Sequence, residues 1–241
     1  MFAGPNGSGK SELKKHLPSA LLGVYLNPDE LERDMGTNGF LHLGEYGVET
    51  TEPEAKAFFR QSAFLPQVGF ADVAARVSVS DGRLIFGREA VNSYVASVTA
   101  DFLRRRLLAA RASFTLETVM SHPGKVALLE HAQRLGYRTY LYYIATDDPE
   151  INVSRVKTRV QRGGHAVPED KIIKRYHASL GLLMDAIRRT NRAYVFDNSG
   201  EDQEKTWLAE VTEGRELEMK TDQMPAWFKH AVWEKIVPSA Q

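Results

Sequence analysis

Gly4-Pro5-Asn6-Gly7-Ser8-Gly9-Lys10-Ser11 opens the chain, and the reading of these eight residues decides the fold. They match G-x-x-x-x-G-K-[ST], whose glycines let successive backbone N–H groups turn inward around the β- and γ-phosphates of a nucleotide; side chains would fill that cradle. In such a loop Lys10 reaches the phosphate oxygens and Ser11 gives its hydroxyl to Mg²⁺. A helix is expected from about residue 11 to 17, with Leu13 and Leu17 on its short apolar face and its positive N-terminus toward the anion. The bland alternative is an ordinary glycine-rich turn. Against it stands the context, since the loop lies where a strand gives way to an amphipathic segment. Met1-Phe2-Ala3 supplies only the last residues of that strand, as a late start or a truncated chain would. The motif alone does not separate a kinase from an ATPase or a GTPase.

Working outward, short apolar runs at residues 23–26, 113–116, 140–145 and 193–196 alternate with helical patterns. That alternation predicts an α/β fold with a parallel sheet covered on both faces. Helices are expected over 91–112, 124–135, 149–162 and 168–189. In the last of these Ile172, Ile173, Tyr176, Leu180, Leu183 and Ile187 recur at helical spacing and form a core stripe. Residues 36–90 exceed a simple connection and carry Phe58, Phe59, Phe64 and Phe70. Such an insertion at the strand ends builds an acceptor pocket or serves as packed scaffold. Beyond residue 200 the pattern changes to a hairpin around Glu213-Gly214, followed by a helix from Pro225. The expected organisation is a P-loop domain over 1–200, with 201–241 packed on it.

Composition narrows the partners. The 241 residues are 43% hydrophobic, enough for a full core, and Lys+Arg and Asp+Glu both total 31. No overall positive field draws the chain to nucleic acid or anionic lipid, so a small, locally recognised substrate is expected. There are no cysteines, which excludes thiol catalysis, disulfides and cysteine metal sites. No apolar run approaches the roughly 20 residues that span a bilayer, and the expectation is a cytoplasmic protein. The seven histidines contain no H-E-x-x-H pair, leaving the nucleotide's magnesium as the expected metal.

Several residues have the chemistry for phosphoryl transfer. Asp29, in Asn27-Pro28-Asp29-Glu30, follows the second strand at the carboxyl end of the sheet, where a carboxylate can take the proton of an acceptor hydroxyl. Asn27-x-x-Glu30 with Pro28 is also a capping box, and Glu30 is assigned to capping. Glu117 ends the strand Phe114-Thr115-Leu116-Glu117-Thr118, and a buried acid there needs a partner: a metal-bound water, the substrate or an arginine. Arg155, Arg159 and Arg162 share one helix face, suited to neutralising charge over a triphosphate, with Gly163-Gly164 as a hinge. A solvated basic face is the alternative. His165 contacts phosphate or caps a turn. Arg104-Arg105-Arg106 reads as a solvated face before a binding patch.

Taken together, residues 4–11, Asn27-Pro28-Asp29, Phe114-Thr115-Leu116-Glu117-Thr118, the Arg155–Arg159–Arg162-Gly163-Gly164-His165 stretch and Asp197-Asn198-Ser199 resemble the zeta-toxin-like family of P-loop kinases. The likeness spans roughly residues 1–200. It implies strand order 2-3-1-4-5, ATP with Mg²⁺, and phosphorylation of a sugar hydroxyl; in the family's toxins the acceptor is a UDP-N-acetyl amino sugar and a small antitoxin blocks the ATP site. By that similarity Gly4, Pro5, Asn6, Gly7, Ser8, Gly9, Lys10, Ser11, Arg155, Asn198 and Ser199 bind ATP, with Ser11 on magnesium. Asp29, Glu117, Thr118 and His165 meet the acceptor, and Asp29, Lys10, Arg159 and Arg162 carry catalysis. The chain departs from the family at Glu117-Thr118-Val119-Met120, where toxins have a glycine-rich E-G-T segment, and at Gly163-Gly164-His165 in the lid. Two other readings stand beside this one. A regulatory ATPase or nucleotide switch without an acceptor would use Asp147-Asp148 after the run 140–144, although those residues also read as a helix start. A polynucleotide-end kinase would need a local patch such as Arg104–Arg106.

Overall fold

The computed structural model describes residues 1–164, 166–200 and 205–236. Strands run at β1 Phe2–Ala3, β2 Val24–Leu26, β3 Phe40–His42, β4 Ser78–Ser80, β5 Arg83–Ile85, β6 Phe114–Thr118, β7 Tyr140–Ala145, β8 Arg192–Asp197, β9 Thr206–Thr212 and β10 Glu216–Met219. The longer helices are α1 Pro28–Asn38, α2 Glu52–Arg60, α3 Ser93–Ala109, α4 Pro123–Arg134, α5 Pro149–Gln161 and α6 Glu169–Ile187. The fold is mixed α/β, with a large central sheet and helices on both sides. Two compact units divide the chain, residues 1–17 with 117–241, and residues 18–116.

In the first unit β7 lies parallel to β1 on one edge and to β8 on the other, placing Phe2 opposite Tyr142 and Tyr142 opposite Tyr194. The last residues of β6, Glu117 and Thr118, pair with Phe2 and Ala3. Strand β7 is an apolar run because most of its positions face packed neighbours: Leu141, Tyr143, Ile144 and Ala145 are fully buried. Leu183 and Ile187 of α6 join Leu141, Tyr143 and Val195 in one core cluster, so the expected stripe is a core stripe. The Tyr143 hydroxyl and the Ser179 hydroxyl are 3.0 Å apart, and Ser179 donates to the Val119 carbonyl, which satisfies the polar atoms of that core. Antiparallel β9 and β10, with Thr212 opposite Glu216, turn at Glu213-Gly214, whose φ values of 49° and 66° both lie in the left-handed region. The segment after Pro225 is not one plain helix. It runs from Ala226–Phe228 into a π-type turn at Lys229–Trp233, and Trp227, Phe228 and Val232 join the same core. Such i→i+5 closure has no residue signature from which it could be expected.

In the second unit β2 lies parallel to the first part of β6, Leu26 opposite Leu116, and β3, β5 and β4 form a small antiparallel sheet. Phe59 is buried and meets Phe58, Phe86 and Phe102 at ring-centroid distances of 5.4 to 6.1 Å. Phe58, Phe59 and Phe86 of the 36–90 segment thus pack with Phe102 of α3, while Phe64 remains exposed beside Tyr94. Helix α3 begins at Ser93, later than expected, because the Asn92 side chain accepts from the Tyr94 and Val95 amides.

One element differs in kind from its expectation. The segment after the glycine loop is a 3₁₀ turn over Lys10–His16, with Leu13 buried and Leu17 extended at φ −109°, ψ 137°. Pro18 follows Leu17, and a residue before proline is driven out of the helical region.

Candidate functional site

The glycine loop is held by three neighbours in its own unit. A Cβ on Gly4 would lie 2.0 Å from the Ile144 carbonyl oxygen, one on Gly7 2.8 Å from the Asn152 carbonyl oxygen, and one on Gly9 2.6 Å from Asn198 Nδ2. All three residues have positive φ, so the glycines are required by both space and backbone. Asn152 Nδ2 donates to the Asn6 carbonyl at 2.6 Å, and Asn198 Nδ2 donates to the Ser8 carbonyl at 2.8 Å. Two asparagines thus pull loop carbonyls outward, an arrangement that leaves amides for the inner side. Asn152 is fully buried on α5 and was not singled out in the sequence. Its only signal is an amide sharing a helix face with Val153 and Val156.

Ser8 Oγ and Asn6 Oδ1 are buried without a hydrogen-bond partner. A buried hydroxyl left unpaired costs about 1–3 kcal/mol, so such atoms mark a place where a ligand or water completes the site. Lys10, also buried, donates from Nζ to the Pro5 carbonyl at 2.8 Å. Ser11 Oγ donates to Glu117 Oε1 at 2.9 Å, and Glu117 is only 8% exposed. The partner of the strand-end acid therefore includes the loop serine, which was not among the partners expected for it. These residues fit a phosphate with its magnesium: amides and one ammonium for the anion, a hydroxyl and a carboxylate for the cation.

Thr118 Oγ1 accepts from the Met120 amide at 3.1 Å, closing a turn in which Met120 has φ 55°. Arg155 donates to the carbonyls of Asn198 and Gly200, both at 2.6 Å, so it anchors the segment after β8. Ser199 is engaged in the same segment: its hydroxyl donates to Asp197 and accepts from the Asp147 amide, each at 2.8 Å. Asp197 also accepts from Trp227 Nε1. Arg155, Arg159 and Arg162, with Thr158, Gly163 and Gly164, line a cavity of about 460 Å³. His165 lies outside the described residues.

Asp29 belongs to the other unit. It is exposed on the first turn of α1, three residues beyond Leu26, and its amide donates to Asn27 Oδ1 at 2.9 Å. The Asn27 bond goes to the second amide of the helix, where a capping box would use the third. Arg104, Arg105 and Arg106 do not form an open patch. Arg104 and Arg105 pair with Asp101, the Arg105 guanidinium lies 5.2 Å from the Phe58 ring centre, and Arg106 reaches Glu54 and the Glu49 carbonyl. Burial pushes the Arg104 guanidinium down to about 10, which leaves it charged at neutral pH. Asp148 caps α5 through the Glu150 amide, so it serves as the helix start.

No protein-family model matches the chain. An uncharacterised protein of Haemophilus influenzae is 35% identical over 63 residues, which are 26% of this chain and 45% of that protein. The fold is that of a chain in the solved AvrRxo1-ORF1:AvrRxo1-ORF2 complex. With sulphate ions the match has TM-score 0.56 and 17% identity, and with ATP it has TM-score 0.56 and 18% identity; each covers 100% of this chain and 64% of that one. The chain thus spans about two thirds of the length of the solved chain and under half of the Haemophilus protein. No described helix is long and apolar enough to cross a membrane.

Proposed function

We propose that this chain is an ATP-dependent small-molecule kinase of the zeta-toxin-like kind, with a P-loop kinase fold and its parallel strands, numbered among themselves along the chain, in the order 2-3-1-4-5. The observation that carries the reading is the Ser11–Glu117 hydrogen bond beneath a loop whose glycines admit no side chain. The solved chain of the same fold that was crystallised with ATP supports it. In this reading the loop amides and Lys10 hold the phosphates, while Ser11 and Glu117 would hold the magnesium, which would supply neutralisation of phosphate charge. Asp29 takes the proton from the acceptor hydroxyl as that oxygen bonds to the γ-phosphorus. The bond from that phosphorus to the bridging oxygen breaks, and ADP leaves. Arg159 and Arg162 neutralise the equatorial oxygens during transfer. A nucleotide sugar of the UDP-N-acetyl amino sugar class is the first acceptor to test, with Thr118 and His165 as its contacts. A small inhibitory partner is proposed by analogy with the two-protein complex.

The test is incubation of the chain with labelled ATP and a panel of nucleotide sugars, free sugars, nucleosides and antibiotics, with Lys10→Ala as the blank. One labelled product is expected. Asp29→Ala should lower turnover by about 10²–10⁴-fold with ATP affinity unchanged, as removal of a general base does. Transfer at the wild-type rate would remove Asp29 from the chemistry. ATP hydrolysis without any phosphorylated acceptor would make the chain a regulatory ATPase.

A further inference from the structure

Lys205 precedes β9, far in sequence from the glycine loop, yet its side chain lies against Gly9. Its ε-carbon is 3.3 Å from the position a Gly9 Cβ would take, on the same side as the Asn198 amide that holds the loop. Among the described residues the charges around it are Glu12 and Lys15 of the 3₁₀ turn and Arg155 of α5. Glu12 pairs with Lys15 at 2.7 Å, and Arg155 donates to two carbonyls of its own unit. Among the described residues, one carboxylate, Glu12, faces the three cations Lys205, Lys15 and Arg155. Burial and the like charges of Lys15 and Arg155 hold the Lys205 ammonium below the ordinary lysine value, against the pull of Glu12. An ammonium kept in such company is stabilised by an added anion.

The two ammonium groups of the loop sit at different ends. Lys10 Nζ lies on the Pro5 carbonyl, and Lys205 lies beside Gly9. In loops of this pattern the lysine of the motif takes the β- and γ-phosphates, which leaves the Gly9 end to the phosphate nearer the nucleoside. We propose that Lys205 is a second cation of the phosphate site and contacts the α-phosphate of the bound nucleotide. This rests on the nucleotide-binding part of the function proposed above.

Packing and charge are separable at this position, because methionine keeps an unbranched stem against Gly9 and removes only the ammonium. ADP and ATP are titrated calorimetrically into the wild type, Lys205→Met, Lys205→Gln and Lys205→Arg, with Lys220→Met as control, since Lys220 lies over the Trp207 ring. The neutral variants should bind both nucleotides about tenfold more weakly, as loss of one charge-assisted contact implies. Arginine should restore most of the affinity, and the control should bind as wild type. Equal binding by wild type and a folded neutral variant would reduce Lys205 to a packing residue and overturn the proposal. A loss for ATP without a loss for ADP would move the contact to the γ-phosphate and overturn it as well. If the wild type bound neither nucleotide, the underlying function would fail before Lys205 was at issue.

Discussion

At Gly4 a single methyl group meets a wall. The backbone sits at φ 144°, and the added carbon would lie 2.0 Å from the Ile144 carbonyl oxygen, a main-chain atom of the central sheet that cannot yield. Gly4→Ala should destabilise the chain by about 3 kcal/mol or more, from strain and overpacking together; differential scanning calorimetry would read it as a lower Tm. A wild-type Tm in that variant would mean the loop is not packed on β7 as described. Ser11→Ala is a milder change. It deletes one hydrogen bond to a buried carboxylate, worth about 1–3 kcal/mol, but should raise the Mg²⁺ concentration needed for half-maximal ATP turnover. If magnesium dependence is unaltered, Ser11 and Glu117 form only a structural pair.

Among the elements, α2 shows how local chemistry fixes a helix start. The Thr51 hydroxyl accepts from the Glu54 amide while the Glu54 carboxylate accepts from the Thr51 amide, and Arg106 approaches from α3. These donors, the Thr51 amide first, hold the exposed Glu54 carboxyl down at about 2, from an ordinary 4.5. A carboxylate whose folded value is depressed contributes stability above its unfolded value and loses it as pH falls through the folded one. The difference in urea midpoint between wild type and Glu54→Gln should therefore be full at pH 6, shrink below about 4.5 and vanish near pH 2. A pH-independent difference would show that the cap acts without ionisation. The 3₁₀ turn after the loop is the opposite case, because Leu13 and Leu17 imply a helical register while Pro18 decides where the helix cannot continue.

For the whole molecule, stability in the unit containing the loop depends on the C-terminal segment as well as the sheet. Phe228 is fully buried among Tyr143, Leu183 and Val232 of one cluster. Phe228→Ala should cost about 3–5 kcal/mol, as large-to-small core changes do, measurable by urea unfolding. A loss under about 1 kcal/mol would show that the terminal segment is not part of the cooperative core. The charge balance of 31 against 31 also takes a spatial meaning only here. The arginine run at 104–106 is spent on Asp101, Glu54 and a carbonyl, whereas Arg159 and Arg162 line a cavity.

Spacing and residue type by themselves determined the glycine loop, the strand Tyr140–Ala145, the stripe of α6 and the hairpin at Glu213-Gly214, because each follows from local backbone freedom or from burial period. Contacts made across long separations were decided only by the tertiary structure. Ser11 met Glu117 over 106 positions, Asn152 and Asn198 took the carbonyls of Asn6 and Ser8, and Lys205 came to rest on Gly9. No periodicity encodes such pairings. They depend on which strand ends the parallel ladder places beside one another, and that register is set by packing of the whole sheet.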